Sequence, residues 1–100
     1  MSVPVVLTIA ARRDVLRASE WYRDKEPSVG DRFDAELDRV VADLADRPTS
    51  FPVVHGSMRR ATLNRFPYGV FFVIEPARVV VLGVVDLRQH PRRWRGLGRR

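Results

Sequence analysis

One stretch constrains this chain more than any other: Arg65-Phe-Pro-Tyr-Gly-Val-Phe-Phe-Val-Ile-Glu-Pro-Ala-Arg-Val-Val-Val-Leu-Gly-Val-Val85. It holds the longest apolar runs, rich in β-branched and aromatic residues, and a single polar break from Glu75 to Arg78 divides it. That composition predicts two strands joined by a tight turn. Both strands are apolar on both faces, so the hairpin belongs in the middle of a sheet with something packed over it. What covers it, and what stands at its polar ends, decides the function.

The remainder of the 100 residues reads as elements able to supply that cover. Val3 to Leu7 is β-prone, with Pro4 acceptable near a strand start or on an edge. Thr8 can cap a helix over about residues 9–24. Ala11, Val15, Ala18 and Tyr22 form its apolar face, and Leu16 and Trp21 widen it. Trp21 and Tyr22, being adjacent, cannot share the face fully, so Tyr22 is expected in the core and Trp21 half exposed and available to a partner. Pro27 interrupts, and Ser28 with Asp31 resembles a capping box that opens a second helix. Val29, Phe33, Leu37, Val40, Val41 and Leu44 make the second stripe, Asp43 and Arg47 are spaced to pair, and Pro48 ends it. The linker is short enough for an antiparallel helical hairpin.

Thr49 to Ser57, with its Pro and Gly, reads as a loop. Met58 to Leu63 reads as a strand that places Arg59 and Arg60 on opposite faces. If either is buried, Asp14 or Glu20 is the expected carboxylate partner. The order is strand, helix, helix, strand, strand, strand. It predicts an α+β fold of two layers, with the helical hairpin on a mostly antiparallel sheet of about four strands. The pattern leaves open which strand the first one joins. The expected organisation is one domain over 1–100, with 96–100 a frayed basic tail.

No apolar stretch reaches the ~18 residues of a membrane span, and no basic region precedes the apolar N-terminal residues as in a signal peptide. A cytoplasmic protein without a membrane partner is expected. There is no cysteine, and His55 and His90 are far apart, so neither a metal nor another cofactor is expected. Charge is divided unevenly. Residues 1–50 hold 8 Lys and Arg against 10 Asp and Glu, a net −2; residues 51–100 hold 10 Arg against Glu75 and Asp86, a net +8, which together give +6. A basic half favours an anionic partner, a nucleic acid or an acidic protein segment. The preference for Arg over Lys is explained equally well by genome base composition.

Several segments together resemble a family. They are Ala10-Ala-Arg-Arg-Asp-Val, Trp21-Tyr22, Gly30-Asp-Arg-Phe33, Phe51-Pro-Val-Val54, Arg59-Arg60, Arg65-Phe-Pro-Tyr68 and a tail with Arg88, Pro91 and Trp94. Their layout is similar to that of the ParE-like toxins of the ParE/RelE superfamily, across nearly the whole chain. The resemblance implies a helical hairpin on an antiparallel sheet. It also implies a growth-inhibiting toxin of a type II toxin–antitoxin system of the plasmid-stabilisation kind, held in a hetero-oligomer by the acidic C-terminal segment of a cognate antitoxin. Two activities occur in the superfamily: ParE-like members are associated with inhibition of DNA gyrase, and RelE-like members cleave messenger RNA on the ribosome.

RelE-like nucleases carry a Tyr-Arg-x-x-Tyr-like element on the central strand. The similar positions here run from Tyr68 to Phe72, with the arginine replaced by Gly69 and the second tyrosine by Phe72, and the C-terminal tyrosine replaced near Trp94. Metal-free cleavage needs cations to stabilise the phosphorane and a group to move the proton. Arg60, Arg65 and Arg88 can hold a phosphate without supplying that group. The tail departs from the ParE-like pattern too, since Asp86 and His90 stand where His and Asp are usual. An Asp86–Arg88 or Asp86–Arg60 ion pair is the structural alternative to a direct role, and His90 reads as a solvated turn residue. The expectation is a binding protein rather than an enzyme. Its candidate surface comprises Arg59, Arg60, Arg65, Tyr68, Asp86, Arg88, His90, Arg92, Arg93 and Trp94, with no catalytic residue assigned. A non-toxic basic binding domain is the reading from a different class.

Overall fold

A computed structural model describes residues 2–98. Strand β1 (Val5–Leu7) leads into helices α1 (Ile9–Lys25) and α2 (Pro27–Asp46). Strands β2 (Val53–His55), β3 (Met58–Thr62), β4 (Tyr68–Ile74) and β5 (Val79–Asp86) follow, then the short helix α3 (Arg92–Arg95). The sheet has five strands, not four, in the order β1-β5-β4-β3-β2. The extra strand is β2, inside the stretch expected to be a loop; Gly56, at φ 57°, turns it back onto β3. β1 runs parallel to β5 and the other pairs are antiparallel. The apolar hairpin is therefore β4–β5, with β4 in the centre of the sheet.

Thr8 caps α1, its Oγ1 accepting from the Ala11 N–H at 3.1 Å and donating to the Leu82 carbonyl at 3.3 Å. Ala11 and Ala18 are buried and Val15 and Tyr22 partly so. Leu16, expected to widen this face, is instead 60% exposed, whereas Trp21 is half exposed, at 54%, as expected. The buried flank runs through Ser19, whose hydroxyl donates to Asp34 and accepts from Arg23. The Ser28–Asp31 capping box does not form. Glu26 is the N-cap and Pro27 the first helical residue, since a residue without an N–H loses nothing in that place. Ser28 Oγ donates to the Glu26 carboxylate. Gly30 sets how closely the helices cross, because a Cβ there would stand 2.8 Å from the Arg23 Cβ. The Asp43–Arg47 pair forms at 3.5 Å.

Two clusters fill the two faces of the sheet. On one face the helices cover Val70, Phe72, Val79, Val81 and Val84 with Phe33, Leu37, Val40 and Leu44. On the other, Met58, Phe71, Val80 and Leu82 are covered by Trp94. Register changes between Phe71 and Phe72: Phe71 pairs with Gly83 and Phe72 with Val81, leaving Leu82 as an inserted residue in β5. Of the segment expected to fray, Gly96–Gly98 forms a 3-10 turn, and residues 99–100 lie outside the described residues.

Candidate functional surface

The polar ends of the hairpin divide the candidate residues between the two faces. Arg59 lies opposite Phe72 and faces the helices. Its guanidinium donates to the carbonyls of Phe51 at 2.6 Å and Thr49 at 3.3 Å, so its partners are backbone oxygens rather than Asp14 or Glu20. Arg59 ties down the segment before β2. Arg60 lies opposite Phe71 on the face of α3, and its methylenes lie over Gly69, where a Cβ would stand 3.1 Å from Arg60 Cδ and 3.0 Å from Leu87 Cδ2. Arg65 holds a left-handed φ of 66° in the β3–β4 connection.

Tyr68 faces the helices, in an aromatic cluster with Tyr22 (ring centroids 6.2 Å apart) and Phe33 (5.6 Å). Burial pushes both tyrosine hydroxyls above their ordinary value, with Asp86 adding to the effect and Arg88 opposing it. Asp86 stands opposite Tyr68 at the end of β5. It accepts from Arg88 Nε at 3.0 Å, Arg88 Nη2 at 2.7 Å and the Arg88 backbone N–H at 2.9 Å. The forked guanidinium holds the Asp86 carboxyl below its ordinary 3.8. Of the two pairings considered, Asp86–Arg88 is the one formed. His90 is exposed, and its Nδ1 accepts from the Arg92 N–H at 3.2 Å, a local turn contact. Arg92 and Arg93 are exposed, whereas Trp94 is buried with its ring stacked on Phe71 at 4.9 Å and 18°. Trp94 is thus a core residue, and not part of an exposed surface.

Two clefts border these residues. The first, of about 430 Å³, lies between α1, the last residues of β5 and the tail, and takes in Asp14, Arg17, Trp21, Tyr68, Asp86 and Arg93. The second, of about 570 Å³, lies between the helical hairpin and the β3–β4 connection, lined by Tyr22, Val29, Arg32, Arg39, Arg65 and Phe66 among others. Glu36 at its edge accepts from the Asn64 N–H and is held below its ordinary value, chiefly by Arg39. Among the described residues no cluster of His, Asp and Glu suits a metal ion.

Sequence reasoning offered Asp14 only as a partner for Arg59 or Arg60 and missed its role at β5. Its Oδ2 accepts from the Val84 N–H at 2.9 Å, across a sequence separation of 70. Burial raises its pKa above the ordinary 3.8 despite that bond and nearby Arg17. An exposed position in a helix pattern gave no signal of this use.

The profile described as the ParE toxin of the type II toxin–antitoxin system, parDE, matches residues 5–96. The chain belongs to the ParE toxin family. No curated protein matches it in sequence. Among solved structures, a chain of the chromosomal ParDE TA system from P. aeruginosa superposes with a TM-score of 0.75 at 17% identity, covering 86% of this chain and 97% of that one. That likeness is one of fold. This ParE-family chain is accordingly the toxin half of a type II toxin–antitoxin pair, and the family implies an antitoxin partner. No helix among the described residues is long and apolar enough to cross a membrane.

Proposed function

We propose that this toxin acts by binding a protein target in the ParE manner, with DNA gyrase the first candidate, rather than by cutting messenger RNA. In the same reading the acidic C-terminal segment of its cognate antitoxin neutralises it in the cytoplasm. One observation carries the choice against cleavage. At the positions similar to the nuclease element, Gly69 has its side-chain space taken by Arg60 and Leu87, and Phe72 is wholly buried under the helices. A hydroxyl at position 72 would not reach a phosphate. The remaining polar groups, Arg60, Arg65 and Arg88, suit holding an anionic or acidic surface. Tyr68, with its hydroxyl pushed upward by burial, is a poor base near neutral pH.

Controlled expression of the chain alone tests this reading. Growth arrest with filamented cells and intact transcripts, relieved by the product of the adjacent gene, is the expected result. Rapid codon-positioned cleavage of messenger RNA would overturn it in favour of the nuclease. No effect on growth would favour a non-toxic basic domain. Arg60→Ala and Arg88→Ala are expected to weaken toxicity without loss of fold, since Arg88 is exposed and Arg60 only half-buried. Full toxicity in both variants would move the active surface elsewhere.

A further inference from the structure

We propose that the outer face of the C-terminal tail, built on α3, binds the phosphate backbone of duplex DNA without regard to sequence. The choice of DNA rests on gyrase, an enzyme of duplex DNA, being the target of this toxin.

Charge is separated across the thickness of the sheet. Ten of the 12 Asp and Glu fall in residues 1–50, all of them on α1, on α2 or at Glu26 between the two. Those helices cover one face of the sheet. On the other face α3 turns Trp94 inward onto Phe71. With about 100° between successive helical residues, this puts Arg93 and Arg95 on the two flanks of α3 and Arg92 on its outward side. Arg93 accordingly borders the cleft against α1, and Arg95 lies over the Trp94 ring, 5.9 Å from its centroid. Arg60, opposite Phe71 in register, adds a fourth arginine to the same face. None of the four forms an ion pair among the described residues.

The carboxylates nearest to them are already engaged. Asp86 is held by Arg88 at 2.7 Å, and Asp14, across the cleft from Arg93, accepts from the Val84 N–H with Arg17 nearby. Glu75, at the far turn of the hairpin, pairs with Arg78. Four cations gathered on one face repel one another, and no group of the fold offsets that repulsion. An external anion does.

What the face lacks identifies that anion. Protein partners draw affinity from buried apolar anchors, but the exposed large apolar side chains lie elsewhere: Ile9, Leu16 and Trp21 on α1, Val53 and Ile74 on the helix side of the sheet. Single strands are held by stacking bases on aromatic rings, and the two rings here, Phe71 and Trp94, are buried. A convex row of guanidiniums suits the phosphates of a duplex, to which arginine donates in bidentate fashion. Phosphate contacts carry no sequence information. The toxin would then meet gyrase together with its DNA.

The test is fluorescence anisotropy of the full chain with labelled duplex DNA of about 20 base pairs in two unrelated sequences, over a salt series. Both sequences are expected to bind alike, with Kd of roughly 1–100 µM near physiological salt and a log–log salt slope of about −3 to −4. R92A/R93A, two exposed sites that do not touch Trp94, should raise Kd about tenfold or more and flatten the slope by about 2. R12A/R13A removes the same charge from the exposed face of α1 and should leave Kd within about twofold. Equal losses in the two double variants would show only diffuse attraction by net charge and overturn the proposal. Tighter binding of single-stranded DNA or of an RNA duplex would overturn the choice of ligand. Displacement of the duplex by poly-glutamate at equal charge concentration would assign the face to an acidic protein instead. No DNA binding, with filamentous growth arrest intact, would remove this inference and leave the target reading standing. DNA binding without any effect on gyrase would remove the target reading and leave the patch.

Discussion

The two faces of the sheet are covered in different ways. Phe71 and Phe72 are neighbours on β4, both completely buried, and they point in opposite directions. Phe72 meets a layer made of two helices tied to one another. Arg23 bridges Asp31 at 3.0 Å and Asp34 at 2.9 Å, and Ser19 joins the same network. Phe71 meets Trp94, carried on a helix of four residues whose N-terminus has no side-chain cap. One face is closed by long-range structure and the other by the C-terminal tail, with Trp94 as its aromatic plug beside Leu87 and Leu97. The difference teaches that burial alone does not measure how firmly a face is held. The helix-side face sets the stability of the domain, while the other can open locally when its plug is removed.

The sharpest way to break this comparison is to truncate each side in turn. Phe72→Ala is expected to cost about 3–5 kcal/mol, since the helices cannot follow into the cavity. In a domain of this size that is a large part of the total. A urea titration checks it, and a cost equal to that of Phe71→Ala would erase the distinction.

Trp94→Ala comes next, at about 1–3 kcal/mol, because the loss is bounded by the free energy that docks the tail. Amide exchange should quicken in 87–98 and along the outward face, leaving α1 and α2 unchanged. Global unfolding on this substitution would show that the plug is as structural as the helices.

Asp14 and Asp86 sharpen the comparison at the C-terminal end of β5, where their environments push in opposite directions. Asp14→Ala leaves the Val84 N–H without its partner and is expected to cost about 1–3 kcal/mol. Asp14→Asn, which keeps an oxygen acceptor and removes the desolvated charge, should be within about 0.5 kcal/mol of wild type or more stable. The pH signs follow. The raised pKa of Asp14 means protonation favours the fold, a contribution fully present below 3.8 and lost as pH rises through the folded value. The depressed pKa of Asp86 means the reverse: its contribution is present above 3.8 and lost as pH falls through the folded value. Stability measured in acid should therefore fall less in Asp86→Asn than in wild type, with Asp14→Asn removing the opposing term.

The smallest effect belongs to the exposed ion pairs on α2. Arg47→Ala removes a 3.5 Å contact with Asp43, which keeps Arg39 at 3.0 Å, and should cost only a few tenths of a kcal/mol.

These contrasts explain what was legible in the sequence. The helix-side layer could be read because apolar spacing repeats at Phe33, Leu37, Val40 and Leu44, and all four are buried. The β4–β5 hairpin could be read because its runs are long and broken once. β2 could not, since Pro52 and Gly56 flank a segment of three residues whose Val53 is exposed. Trp94 read as part of a basic binding surface because its sequence neighbours Arg92, Arg93 and Arg95 are arginines, whereas packing against Phe71 is a tertiary fact. The role of Asp14 depends on a one-residue insertion in a strand 70 positions away. No local pattern encodes such a pairing. Of the candidate residues, Arg59 and Trp94 turn out to hold the fold, and Asp86–Arg88 forms the pair that spacing allowed.

The claim that this toxin binds rather than cleaves rests on Gly69 and Phe72, and one measurement addresses it directly. Purified chain, at concentrations that inhibit in the cell, is added to a translating extract, and the ends of the messenger RNA are mapped. Full-length transcript throughout is the predicted result. New ends placed at codon boundaries on the ribosome, lost when Arg60 and Arg88 are replaced by alanine, would contradict it.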